Sequence, residues 1–131
     1  MYAVEVRDHI MIAHSLPAEV FGPAQGLHGA TFVVDAAFFA EEIDANGIVV
    51  DIGLATQALG EALAPLRYRN LDTAPEFAGR ITTTETLSRH VFEALAAAVR
   101  AGRLGDGGRF RRLRVTLHES HVARGWFEAE I

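Results

Sequence analysis

Hydrophobic and polar positions alternate from the start of the chain. The segment "YAVEVRDHIMIAHSL" places Tyr2, Val4 and Val6 on one face, with Ile10, Ile12 and His14 at the same parity further on. That period predicts a long strand, bent or bulged near Asp8 and His9, where the apolar pattern is interrupted. Two prolines and two glycines in "PAEVFGPAQG" predict a loop. "LHGATFVVDAAFF" then reads as a second strand, pairing with the first across that loop. "DANG" at 44–47 signals a turn, and "IVVD" after it reads as a short strand.

From Asp51 the period lengthens. Ile52, Leu59, Leu63 and Leu66 recur at helical spacing, with Asp51 as the predicted N-cap. "RYRNLDTAPEFAGR" lacks periodicity and is expected to be a loop. "TTTE" offers Thr82 as an N-cap with Glu85 three residues later, a capping box, and Leu87, Val91, Leu95 and Ala98 form the apolar stripe of the next helix. Glycines in "AGRLGDGG" end that helix. "LRVTLHES" alternates again, with Leu113, Val115, Leu117 and Glu119 on one face, and "GWFEAEI" predicts a last strand. The order β-β-(short β)-α-α-β-β implies an α+β fold, an antiparallel sheet with two helices on one face. No linker or internal repeat divides it, so residues 1–131 are expected to form one domain.

Composition narrows the function classes. The chain has 131 residues, a net charge of −5 and 22% charged residues, which gives no reason to expect nucleic acid or an anionic membrane as partner. The basic run "RFRRLR", Arg109 to Arg114, reads as a solvated strand start rather than a phosphate patch. With no cysteine, thiolate ligands and a cysteine nucleophile are excluded. No basic-then-apolar leader opens the chain and no apolar run approaches a membrane span, so a soluble cytoplasmic protein is expected.

Few residues carry candidate chemistry. His14 and His28 lie on successive strands among small neighbours, where paired strands would let their imidazoles face a common space. Two histidines fall short of the three protein ligands of a catalytic zinc, and two unrelated, hydrogen-bonded histidines are the plainer reading. Glu119 shares the face of Leu113, Val115 and Leu117. It is either a solvated strand end or, if enclosed, an acceptor for the two N–H groups of a 2-amino-4-oxo heterocycle. His118 has the opposite strand parity and is expected to point away from it. His121 has the same parity and is the better candidate for a ligand or general base. His90, within the second helix, reads as a surface or packing residue.

Together these segments resemble the 6-pyruvoyl-tetrahydropterin synthase and 6-carboxy-tetrahydropterin synthase family over nearly the whole chain. "AHSL" matches its Ala-His-x-Leu, "LHGA" part of its Leu-His-Gly-His, "GIVVDIG" the segment before its first helix, "TTTE" its second helix start, and "RVTLHES" its Val-x-Val-x-Glu strand. Each motif is weak alone, and their order and spacing are more specific. The resemblance implies the tunnelling fold, an oligomeric barrel (a homo-oligomer, hexameric or similar) with sites at subunit boundaries, and a small-molecule dihydropterin as ligand. No nucleotide cofactor is expected.

The family's functional residues carry over in part. Its zinc histidines correspond to His14, His28 and position 30, here Ala30, and its cysteine falls on Ala24. Its catalytic Asp-His pair falls on Arg67 and Tyr68 in one register, or on Asp72 and Thr73 in another. Glu119 matches the pterin-anchoring glutamate and Thr83 the helix-start threonine. Zinc is therefore a candidate cofactor with its third ligand replaced, completed by His9, His121 or a neighbouring subunit. Otherwise the metal is gone, and acid–base work falls to Tyr68, Asp72 or His121.

Two functions follow. The first is a pterin-metabolising lyase acting on the C6 side chain of a dihydropterin by elimination, retro-aldol cleavage or isomerisation. The alternative is a non-catalytic pterin- or purine-binding protein on the same fold. A scaffold with no ligand would leave Glu119 unexplained.

Overall fold

In the computed structural model, which describes residues 1–131, the alternating segments pair as the sequence predicts. Strands β1 (Tyr2–His14), β2 (His28–Ala40), β3 (Phe110–His118) and β4 (Arg124–Glu130) form one antiparallel sheet in the order β1-β2-β3-β4. Helices α1 (Ile52–Leu63) and α2 (Thr84–Arg100) connect β2 to β3. They cover the sheet face that carries Val6, Ile10, Phe32, Val34, Phe38, Leu113, Val115 and Leu117, all buried. At a few kcal/mol for each large apolar side chain removed from water, this layer fixes which parity faces inward. The antiparallel α+β architecture with two helices on one sheet face is thus the observed one.

Several local expectations need correction. β1 has no bulge: its register with β2 runs unbroken from Tyr2–Ala40 to His14–His28. Asp8 interrupts the apolar pattern without shifting the register, and Arg67 reaches it with Nη2 at 2.8 Å from Oδ2. The irregularity lies instead between β2 and β3, at Phe39/Ala40. "IVVD" is not a strand. Val49 and Val50 are buried, but the carbonyls of Glu42, Ile48 and Val49 are taken by the Arg109 guanidinium rather than by a neighbouring strand. The basic run is structural in the same way further on, where Arg112 and Arg114 both bond Glu128.

Asp51 caps α1 as predicted, accepting from the Leu54 N–H. The helix stops at Leu63, one turn early, because Pro65 has no N–H to continue it, and Leu66 is buried from a short 3-10 turn. Ile52 stays exposed. For α2 the cap is Thr83, not Thr82: Thr83 Oγ1 accepts from Thr86 N–H at 3.2 Å, and the predicted box with Glu85 does not form. Val99 rather than Ala98 completes the buried stripe. The shift by one residue frees Thr82 for another use.

Candidate functional site

Strand register brings His14 and His28 together. They are direct partners at the open end of the β1–β2 pair, on the helix-facing side, with ring centroids 4.7 Å apart. Each ring has its Nδ1 tied. His14 donates to the Thr82 carbonyl, with Thr82 Oγ1 also 3.0 Å away, and His28 donates to the Gly26 carbonyl at 2.8 Å. These bonds fix the tautomer that leaves Nε2 as a lone pair. His14 is 4% exposed, yet no buried polar atom of the chain lacks a partner. Its unbonded Nε2 therefore opens onto solvent.

Asp72 joins this pair through the backbone. Its oxygens accept from Ser15 N–H at 3.0 Å and Ser15 Oγ–H at 2.6 Å, directly after His14. Burial pushes the Asp72 carboxyl upward, but the Ser15 bonds and the nearby His14 and His28 outweigh it, and the group sits below its ordinary range. Ser15 and Asp72 line a depression of about 440 Å³ closed on its other side by Phe77 to Thr82. Of the two registers the sequence left open, the one through Leu71 is the one that places a carboxylate beside the histidines.

The remaining candidates are more scattered. Glu119 stands just past the end of β3, on an exposed turn held by its own backbone N–H bonding the Ala123 carbonyl at 3.1 Å. It follows His118, which pairs with Val33, so it lies toward the end of the sheet where β2 begins at His28. His121 lies on the same turn and is exposed. Continued in the β2–β3 register, it would stand opposite Ala30, but the turn at Glu119–Ala123 takes it away. Tyr68, 81% exposed at φ 57°, sits against the outer edge of β1 with its N–H on the Met11 carbonyl. His9 is exposed on the opposite sheet face from His14. Thr83 has its hydroxyl engaged in the helix cap.

As a metal site the set is incomplete. The anchored Nδ1 atoms are the arrangement that metal-ligating histidines require. Position 30, however, presents a methyl group, and the chain brings no three His, Cys, Asp or Glu side chains into a constellation that could hold a metal ion. The residues of one chain do not fit a catalytic zinc ion. Neither His9 nor His121 supplies the missing ligand.

Sequence reasoning missed a second cluster. On the sheet face away from the helices, Asp35 accepts from Arg7 Nε at 2.6 Å, Arg7 Nη2 at 2.8 Å and His118 Nε2 at 2.7 Å. Burial alone would raise the Asp35 carboxyl; Arg7 and His118 outweigh it and hold it below the usual range. A cleft of about 580 Å³ beside it is lined by Arg7, Thr31, Val33, His118, Glu119, Ser120 and His121. So His118 and Glu119, expected to diverge, share one cleft, because β3 ends between them. A lone aspartate in the apolar run "FVVDAAFF" was the available signal.

Burial also sets an acid response. His14 is lowered from 6.5 by burial and then by the neighbouring His28; His90, its ring tilted against Phe77 with centroids 4.7 Å apart, is lowered by burial and then by Arg80. A depressed histidine stabilises the fold fully above its unfolded value and loses that contribution as pH falls through the lower folded value. Asp35, Asp44, Asp72, Glu76 and Glu128 are depressed carboxylates, whose contributions fade only in a more acidic window. The melting temperature is thus expected to fall in two stages, the first starting as pH drops below about 6.5. His90→Phe should shrink the first stage and spare the second. Equal slopes for the two proteins in thermal scans from pH 8 to pH 4 would refute this.

Comparison with known proteins agrees with the geometry. The family model described as 6-pyruvoyl tetrahydropterin synthase matches residues 3–130. Among solved structures, the chain is similar to the 6-pyruvoyl tetrahydropterin synthase of Caenorhabditis elegans, at 22% identity and a TM-score of 0.77, covering 98% of this chain and 94% of that one. It is also similar to the Plasmodium vivax synthase, at 14% identity and a TM-score of 0.78 over 100% of both chains. An uncharacterized protein of Wolinella succinogenes shares the fold at 13% identity, with a TM-score of 0.67 and 98% coverage of each chain. No curated protein matches the sequence significantly.

Proposed function

The chain belongs to the 6-pyruvoyl tetrahydropterin synthase family, and from that premise we propose that it is an enzyme acting on the C6 side chain of a 7,8-dihydropterin. The observation that carries this reading is the placement of Glu119, the His14–His28 pair and Asp72 toward one end of the sheet. Glu119 accepts the two N–H groups of the pyrimidine edge, with Thr83 close to the ring at the start of α2. The open Nε2 atoms of His14 and His28 meet the hydroxyls of the side chain, and Asp72 holds the strand end that presents them. The reaction class is a lyase or isomerase step: elimination, retro-aldol cleavage or isomerisation.

Residues 1–131 act as one domain in this proposal, and the working form is a homo-oligomer whose copies share the site. The edge of β4 and the first half of the β1 edge offer backbone N–H and C=O groups to another copy, while from His9 onward Arg67, Tyr68 and Arg69 bond the outer side of β1. No helix is long and apolar enough to cross a membrane.

A second reading, a non-catalytic pterin or purine binder, draws on Ala30 and Ala24, where the family resemblance implies a ligand and a nucleophile. Incubation of the purified protein with 7,8-dihydroneopterin and with its phosphates, followed by chromatography of the pterin products, separates the two. Turnover above the protein-free rate is the expected result. Saturable binding without product would replace the enzyme by the binder, and neither binding nor product would remove both.

A further inference from the structure

We propose that the sheet face away from the helices carries a second ligand site. There the cleft beside Asp35 binds a phosphate-type anion, free or as a monoester, through Arg7, His118, Thr31 and Ser120. The His14–His28 pair lies on the helix-facing side of the same sheet, so this ligand is separate from the one met by those histidines. The site goes beyond the pterin reading and does not depend on it.

Two observations carry the proposal. First, one buried carboxylate holds two cleft-lining groups in place. The Arg7 side chain is 63% exposed, yet its Nε and Nη2 are both fixed on Asp35, whose side chain is 6% exposed. An exposed arginine ordinarily loses rotamer freedom when it grips a ligand. Here that loss has already occurred on folding, and the planar fork keeps its Nη1 edge unspent. His118 Nε2 is fixed on the same carboxylate at 2.7 Å, which leaves its Nδ1 without a partner in the chain. Second, unspent donors converge on the cleft, and Val33 is the one apolar residue lining it. The Thr31 hydroxyl makes no hydrogen bond within the chain. Ser120 Oγ accepts from Val122 N–H at 3.2 Å, so its own O–H remains free to donate. A smaller cleft on the other side of His118 adds Arg124, which stands opposite His118 across β3 and β4 and forms no ion pair.

The charge balance then selects the ligand. The charged groups that face His118 are Asp35 from β2, Arg7 from β1, Arg124 from β4, and Glu119 and His121 from the turn, with His9 two strands away in the same row. Arg7 and Arg124 offset Asp35 and Glu119, so an anion fits best when it brings a proton with it. His118 Nδ1 has room for that proton. Either a protonated imidazole donates Nδ1–H to a phosphate oxygen, or the P–O–H of a phosphate monoanion donates to the Nδ1 lone pair. Both arrangements contain the same atoms and the same total charge. A tetrahedral anion meets Arg7, a hydroxyl and His118 with three different oxygens, which the two oxygens of a simple carboxylate cannot do.

The test is calorimetric titration of the purified protein with inorganic phosphate, glycerol 2-phosphate and acetate at constant ionic strength, with the His118 ring nitrogens followed by NMR. Saturable binding of phosphate at about 5 mM or tighter is expected, with proton uptake, a shift of the His118 signals and no binding of acetate. Tighter binding of glycerol 2-phosphate identifies an ester as the ligand, and equal binding identifies the free ion. Arg7→Lys keeps a charge and an N–H for Asp35 but loses the free edge, and it is expected to weaken phosphate binding about 10-fold or more. Thr31→Val combined with Ser120→Ala leaves the ion pair untouched and should weaken it roughly 3- to 10-fold. Glu119→Gln should tighten it about two- to fivefold by removing a like charge, the opposite of its expected effect on a dihydropterin. No saturation by about 50 mM phosphate, or wild-type affinity in both the Arg7 and the hydroxyl variants, would overturn the site. Weaker phosphate binding by Glu119→Gln would place the anion in the pterin site instead and overturn it as well. Failure of the wild type to bind or convert 7,8-dihydroneopterin would remove the pterin reading and leave this site standing.

Discussion

Glu119→Ala is expected to weaken dihydropterin binding by roughly 30- to 700-fold, without loss of stability. The carboxylate stands on the turn after β3 with only its backbone committed to the fold. Removing an exposed side chain of this kind changes stability by no more than about 0.5 kcal/mol. Its value for a ligand is much larger. A 2-amino-4-oxo heterocycle offers two N–H groups in a fork, and a carboxylate that accepts both makes charge-assisted bonds worth about 1.5–3 kcal/mol each. After the water that solvates the free carboxylate is counted, about 2–4 kcal/mol is the expected loss, which gives the stated range. Glu119→Gln should lose nearly as much, because its amide nitrogen turns a donor toward a donor. Titration of both variants with 7,8-dihydroneopterin by calorimetry or fluorescence, beside thermal scans, measures the two quantities separately. Binding within a factor of three of wild type would remove Glu119 as the anchor.

What was legible in the sequence was whatever depends on period and parity. The alternation in "YAVEVRDHIMIAHSL" and "FVVDAAFF" predicts two strands that pair across a loop, and the structure adds the register that sets His14 opposite His28. The errors arise where a side chain from far along the chain satisfies a local group. Asp8 suggested a bulge because its partner, Arg67, is 59 residues away. "IVVD" suggested a strand because Arg109, which occupies its carbonyls, comes 60 residues later. The site shows the same limit. Parity sends His118 away from Glu119 only if β3 continues, and the turn that ends it depends on the Ala123 carbonyl rather than on any alternation. Thr82 lost its predicted cap role and became the residue that orients His14, a tertiary contact across 68 positions.

Ala30→His is expected to convert this chain from one that retains well under one zinc ion to one that retains about one per chain. The supporting bonds are already present: the Thr82 and Gly26 carbonyls hold His14 and His28 by Nδ1, the kind of bond that orients an imidazole toward a metal. What is absent is the third nitrogen. Ala30 lies two residues from His28 on the same face of β2 and opposite Ile12, partly buried against the core. An imidazole there points to the side where His14 and His28 stand. Adding its volume beside Ile12 should cost the metal-free variant about 1–3 kcal/mol of stability. Zinc at 100 times its dissociation constant would return about 2.7 kcal/mol, so the variant should melt below wild type without zinc and at or above it with zinc. Metal analysis after dialysis, paired with melting curves with and without added zinc, reads both halves of this statement. Wild-type protein that keeps one zinc per chain through dialysis would mean that another copy supplies the missing ligand. A variant that gains neither metal nor zinc-dependent stability would mean that the two anchored histidines do not face a common point.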